Sequence, residues 1–177
     1  MKTLQGATLD EKTRNLSKRQ ERIYNFLRSN PVGVLSTVGP DGDPHGAVIY
    51  FTIDKRFMIS FLTKSDTRKY DNLKHHSRIM LTSFDQATQT TAQIMGNTVE
   101  ITDNYEINAV AGAILGASLD TSVAGTGLPP ISKLQAGSYV ALGINPVQIR
   151  MATYARPDPG DYTELFDTIE SFELRSI

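Results

Sequence analysis

The stretch FLTKSDTRKYDNL (residues 61–73) sets two hydroxyls, Thr63 and Thr67, close to a guanidinium and an ammonium, Arg68 and Lys69. A phosphate group is held by hydroxyl or amide donors, by positive charge and by the start of a helix, where unpaired N–H groups and the helix dipole favour an anion. Arginine brings a planar fork for two phosphate oxygens and lysine a point charge, so the pair suits such a ligand. The same residues also suit a solvated helix surface that carries a basic pair, and their spacing alone leaves both readings open.

Other polar groups offer less. His75 and His76 are adjacent, and neighbouring side chains on a helix point about 100° apart, so the two cannot face one ion. Ser36 and Thr37 could supply a nucleophile, but no base stands at a recognisable offset, and polar residues at period two are ordinary on a strand. Asp41 and Asp43 alternate with Pro and Gly, as carboxylates do in turns. GTGLPP (125–130) does not open a helix, which excludes a Rossmann or phosphate-loop fingerprint. With no cysteine, a disulfide framework, a thiolate metal site and a cysteine nucleophile are excluded as well.

The elements that must position Thr63 to Lys69 follow from periodicity. Residues 8–29 open with Thr8 and Glu11 in capping-box spacing and carry Leu16, Ile23, Phe26 and Leu27 at helical intervals, which predicts a basic amphipathic helix ended by Pro31. VGVLSTV (32–38), HGAVIYFTI (45–53) and FMISFL (57–62) are rich in β-branched and aromatic residues and are joined by turns, which predicts an antiparallel meander. A short helix then runs from a cap at Ser65 or Asp66 to about His76, with Tyr70 and Leu73 on one face. Strands over 78–84 and 90–102 follow, the second with Gly96 marking a bulge or bend, then a helix over 104–118. Residues 120–137 form a Gly/Pro/Ser/Thr-rich loop long enough for a lid. One or two strands over 138–154 and an acidic helix over about 161–173, marked by Tyr162, Leu165, Phe166 and Ile169, complete the chain.

About six strands in one antiparallel system favour closure, because closure removes exposed edges. The expected fold is α+β, mainly β: a single domain built on a six-stranded antiparallel split β-barrel over about 32–154 with flanking helices. At 177 residues, 40% hydrophobic and 21% charged, the chain can bury a sizeable core, and fibrous or disordered readings fall away. The net charge is −1, yet residues 55–80 hold Lys55, Arg56, Lys64, Arg68, Lys69, Lys74 and Arg78 against Asp66 and Asp71. A local patch on a near-neutral chain suits a small anion better than a long polyanion, which argues against nucleic acid. No apolar signal core opens the sequence, and the apolar run 109–117 is far below the ~20 residues that span a bilayer, so no membrane association and a cytoplasmic location are expected.

The order of these pieces, with a glycine-proline turn, an aromatic-containing strand, T-x-x-x-T-R-K-x-x-N-L over 63–73 and a strand opening on Arg78-Ile79, resembles the pyridoxamine 5'-phosphate oxidase-like family of flavin-binding split β-barrels. The resemblance spans about residues 20–155. It implies a homodimer with FMN at the subunit interface and the phosphate toward Thr63, Thr67, Arg68 and Lys69. Ala47, Val48, Ile49 and Tyr50 would run beside the isoalloxazine ring, with Leu62 at the strand end before the phosphate. The family's next cofactor contact falls near Thr91 or Gln93; Gln93 is favoured, since an amide both donates to and accepts from a flavin edge. Arg150, taken to follow the last strand, and His45, at a strand start, are further candidates near the cofactor, whereas Asn72 is read as capping or decorating its helix.

Departures narrow the implied activity. Ala47 and Thr52 stand where the phosphate-substrate oxidase has an arginine and a lysine, and the chain has no Trp and ends ESFELRSI rather than in that enzyme's substrate motif. The resemblance therefore implies an FMN-dependent oxidoreductase of unassigned substrate, with a nicotinamide as candidate electron donor, and not a true pyridoxamine 5'-phosphate oxidase. The alternative is a non-catalytic dimeric barrel that carries flavin, deazaflavin or haem. No catalytic residue and no metal ligand is assigned.

Overall fold

The structure, a computed structural model, describes residues 16–120, 139–155 and 165–174. The described chain runs α1 (Lys18–Ser29), β1 (Val32–Val38), β2 (Pro44–Ile53), β3 (Ile59–Lys64), α2 (Arg68–His75), β4 (Arg78–Asp85), β5 (Thr90–Ile101), α3 (Asn104–Asp120), β6 (Tyr139–Tyr154) and β7 (Phe166–Glu173). The Thr8–Glu11 capping box, most of the 120–137 loop and the start of the expected terminal helix lie outside the described residues. Within them, α1 is capped by Ser17 and Gln20, each side chain accepting from the other's backbone N–H.

All strands pair antiparallel in the order β3-β2-β1-β4-β5-β6-β7, and β6 returns to β3 from Ile59↔Ile144 to Lys64↔Tyr139. That return closes a six-stranded barrel, as expected, with β7 as an added seventh strand. β6 accomplishes this by dividing one edge: residues 139–144 pair with β3 and residues 148–154 with β7, while its other edge follows β5. Pro146, which has no N–H to give a ladder, sits in the gap between the two partners, opposite a bulge at Met95/Gly96.

Alternation along the strands sends Leu35, Phe51, Phe61, Leu81, Ile94, Ile144 and Ile149 inward, all fully buried. Ile23 and Leu27, four apart on α1, pack into the same core. Phe57, in the β2–β3 turn, is buried with φ +68, a left-handed conformation that a bulky residue adopts only when its surroundings fix it. Asp54 Oδ1 accepts from Arg56 N and Met58 N, both at 2.8 Å, and the Phe57 ring stands edge-on to Phe172 of β7 and Tyr24 of α1.

The expected terminal helix over 161–173 is corrected: its described part is the strand β7. Phe166, Glu170, Phe172 and Leu174 are the half-buried positions, a spacing in twos and fours that suits a strand, and β6 beyond Pro146 offers an unpaired edge whose ladder outweighs a weak helical pattern. Arg22 and Arg19 of α1 then meet β7 through an ion pair with Glu170 and a 3.1 Å hydrogen bond to the Ser171 carbonyl. Part of the basic charge of α1 is thus spent internally.

A Cβ added at Gly96 would lie 2.5 Å from the Asn145 carbonyl oxygen and 2.9 Å from Ile144 Cγ2, with backbone on the near side. Gly96→Ala is expected to destabilise the fold by about 1–3 kcal/mol, read as a lowered urea midpoint; an unchanged midpoint would mean that the bulge has slack.

Candidate functional site

β2 and β3 pair only over Phe51↔Phe61, Thr52↔Ser60 and Ile53↔Ile59. Beyond Phe51 and Phe61 they part, β3 continuing with β6, so β2 from Pro44 to Tyr50 has no strand on its second edge among the described residues. One lip of this split carries Ala47–Tyr50 and the other Leu62, Thr63 and the segment leading to Arg68 and Lys69. Nine of the ten residues singled out for a cofactor therefore fall on two facing stretches. Alternation adds a distinction: exposed Val48 and half-buried Tyr50 point outward, whereas buried Ile49 and half-buried Ala47 lie on the inward side of the strand, so these two can offer a ligand little beyond main-chain groups.

Gln93 does not join them. It points outward from β5 in a row that runs Val48, Val34, Thr82, Gln93, Arg150, three strands and roughly 14 Å from Val48 at normal inter-strand spacing. Arg150 is within β6 and opposite Gln93, not after the last strand.

α2 starts later than the sequence suggests, with Thr67 as N-cap in extended conformation, so Arg68 and Lys69 are its first two residues. Thr67 makes no side-chain cap. Its hydroxyl donates instead to the Lys64 carbonyl at 2.9 Å, and because it has one hydrogen, the 3.1 Å contact with Thr63 Oγ1 is donated by Thr63. The first-turn N–H groups are thereby left without a capping side chain, as an anion site at a helix start requires.

Of the seven cations over 55–80, two are ion-paired, and Lys55, Lys64 and Arg78 have no acidic partner among the described residues. Arg56 pairs with Asp54 and Lys74 with Asp71 at 2.8 Å. Arg68 and Lys69 have no acidic partner among the described residues; Arg68 is exposed, and half-burial lowers the Lys69 pKa by removing solvent from its charged form. An uncompensated, partly desolvated ammonium beside a guanidinium at an uncapped helix start is a place for an anion of phosphate type.

α2 itself is tied by Tyr70, whose hydroxyl donates to Glu100 Oε2 at 3.1 Å, and by Asn72, whose Nδ2 donates to Thr37 Oγ1 at 3.0 Å. Asn72 is buried, so it neither caps nor decorates. Sequence reasoning missed it and Thr37, although a polar residue next to Leu73 on the packed stripe was the available signal. His45 is half-buried with its Nδ1 buried and unbonded among the described residues, whereas His75 and His76 are exposed at the far end of α2. No group of three or more metal-ligating side chains occurs among the described residues.

A family model described as pyridoxamine 5'-phosphate oxidase matches residues 20–153. No curated protein matches the sequence. The fold is similar to that of a heme binding protein from Mycobacterium smegmatis, with TM-score 0.65 and 14% identity over 90% of this chain and 60% of that one. It is also similar to a pyridoxamine 5'-phosphate oxidase-related, FMN binding protein from Nostoc punctiforme, with TM-score 0.55 and 16% identity over 92% and 100%. A protein related to general stress protein 26 from Clostridium acetobutylicum gives TM-score 0.58 and 15% identity over 89% and 95%. The chain thus spans three fifths of the mycobacterial protein's length, and at these identities the likeness is one of fold.

With its pKa lowered, Lys69 gives up its proton at a pH where an ordinary lysine is still charged. Affinity for a phosphomonoester is therefore expected to begin falling below the usual lysine range when titrated between about pH 7 and 10.5, and Lys69→Arg should flatten that fall; identical pH profiles would remove Lys69 from the anion site.

Proposed function

The chain belongs to the pyridoxamine 5'-phosphate oxidase family, and from that membership we propose that it is an FMN-dependent oxidoreductase, active as a homodimer on a substrate other than pyridoxamine 5'-phosphate. The observation that carries this reading is the open Arg68–Lys69 pair at the uncapped start of α2. The donor set fits FMN: two cations, first-turn N–H groups and nearby hydroxyls for a phosphate, then the β2 edge that carries no strand partner among the described residues, with the outward Val48 and the half-buried Tyr50, for a flat, largely apolar ring with a polar rim. Bound there, FMN would supply hydride or electron transfer. The protein's own part is to fix the phosphate, to hold the ring against β2 and to keep water from one ring face.

The dimer is supported by the outer face of β1, β2 and β4. Val32, Val34, Val48, Met80 and Phe84 are all exposed there, Val48 at 65% and Phe84 at 52%. Contiguous exposed apolar side chains of this kind mark an interaction surface. A second copy on this face would also explain Gln93: too far along the row to meet the same flavin as Val48, it could reach the flavin of the partner.

Carriage without turnover is the second reading, favoured by the likeness to the mycobacterial heme binding protein. An absorption spectrum before and after adding FMN, followed by dialysis and titration with reduced nicotinamide, separates the two. Retained flavin bands that bleach support the oxidoreductase, bands that persist support carriage, and a Soret band supports haem.

Arg68→Ala with Lys69→Ala is expected to weaken FMN by roughly 2–4 kcal/mol, about 30- to 1,000-fold; unchanged affinity would sink the phosphate assignment. Val34→Glu, placed in the middle of the apolar face, should leave the circular dichroism of the fold intact while sedimentation shows a monomer; a wild-type protein that is itself monomeric would overturn the dimer.

A further inference from the structure

We propose that Asn72 and Thr37 form a buried positioning pair that sets the rotation of α2 and so aims Arg68 and Lys69 at a phosphate; this rests on the FMN reading above. Asn72 is 3% exposed and Thr37 1%. Asn72 Nδ2 donates to Thr37 Oγ1 at 3.0 Å, and Thr37 Oγ1 donates onward to the His45 carbonyl at 3.4 Å. The link thus joins α2 to β1 and, through His45, to the start of β2, the strand that forms the other lip of the split.

An eight-residue helix is not stable alone, and its orientation is set by what it packs on. Leu73 supplies burial without direction. Tyr70 and Glu100 meet at the surface, where both side chains are hydrated competitors for water. Only a buried donor and acceptor penalise rotation, because turning the helix would strand both groups away from solvent. Asn72 lies one turn beyond Arg68 and on the same face, three residues beyond Lys69. Side chains reach about 6 Å from a helix axis, so a rotation of about 10° moves a terminal charge by roughly 1 Å. That is enough to take a charge-assisted hydrogen bond out of its preferred range.

The prediction is specific to the phosphate. Asn72→Ala and Thr37→Val should each weaken FMN by about tenfold, as loss of outer partners does at other built sites, while leaving riboflavin affinity unchanged. Thr37→Ser, which keeps the hydroxyl, should retain the wild-type preference for FMN. Both flavins are titrated against the full-length protein, and Thr37→Val, nearly isosteric with the native side chain, carries the test should Asn72→Ala fail to fold. Variants that keep the wild-type ratio of FMN to riboflavin affinity, or lose both ligands equally, overturn the positioning role while the FMN reading stands. A wild-type protein with no preference for FMN over riboflavin overturns both.

Discussion

β6 is hydrogen-bonded along one edge to β5 and along the other first to β3 and then to β7, and the closed barrel exists only because one strand can satisfy three neighbours. An antiparallel sheet left open would expose a row of unpaired backbone groups. Closure requires β6 to bend where it changes partner, and the bend falls at Pro146, opposite Gly96. Both residues suit the place: proline has no N–H to leave unpaired, and at position 96 any side chain would press on the Asn145 carbonyl. β7 fills the edge that the bend releases, and Phe57 then meets Phe172 of β7 and Tyr24 of α1 in one aromatic cluster. The left-handed Phe57 backbone is held by Asp54 and by that burial together.

The split lies on the other edge of β3, which pairs with β6 along all of Ile59–Lys64 but with β2 only over Ile59–Phe61; beyond Phe61 the two strands part and leave β2 without a strand partner among the described residues on that edge from Pro44 to Tyr50. The chain leaving β3 then begins α2 at the mouth of that opening. Two adjacent cations without acidic partners are unfavourable for folding by mutual repulsion and, for Lys69, by loss of solvent. Three basic side chains are answered by carboxylates, Arg22 by Glu170, Arg56 by Asp54 and Lys74 by Asp71, whereas Arg68 and Lys69 share the lack of an acidic partner among the described residues with Lys55, Lys64 and Arg78. What distinguishes Arg68 and Lys69 is position: they are the first two residues of α2, after an N-cap that makes no side-chain bond to the helix, and Lys69 is partly desolvated.

Much of this was legible in the residues. The barrel strands announced themselves through β-branched runs and turn dipeptides, and α3 through a stripe of which Val110 and Ile114 are buried. β7 was not legible, because Phe166 and Ile169 fit a helical interval and the deciding factor, a free edge on β6, is a property of distant chain. The start of α2 was misplaced for a related reason. Ser65 and Asp66 are better caps by type than Thr67, but the Thr67 hydroxyl is drawn back to Lys64, and the helix starts only after it. The separation of Gln93 from Val48 depends on two intervening strands, which no local pattern encodes.

Phosphate and ring place different demands on a protein, and on the proposed reading they would fall on different elements here. A phosphate needs fixed charges, and the candidates, Arg68 and Lys69, sit on a short helix tied to its neighbours through Tyr70 and Asn72. A ring needs a flat apolar wall with a polar rim, which the barrel's outer face provides without specialised side chains. Exchange of one planar cofactor for another on such a wall would leave the barrel core untouched, because Val48 and Tyr50 face outward while Ile49 and Phe51 face in. This explains in physical terms how barrels of similar fold can include both FMN-binding and heme-binding proteins. On the proposed reading, discrimination in this chain would rest on α2, since the wall would accept any ring of suitable shape and Arg68 and Lys69 would respond to a phosphate.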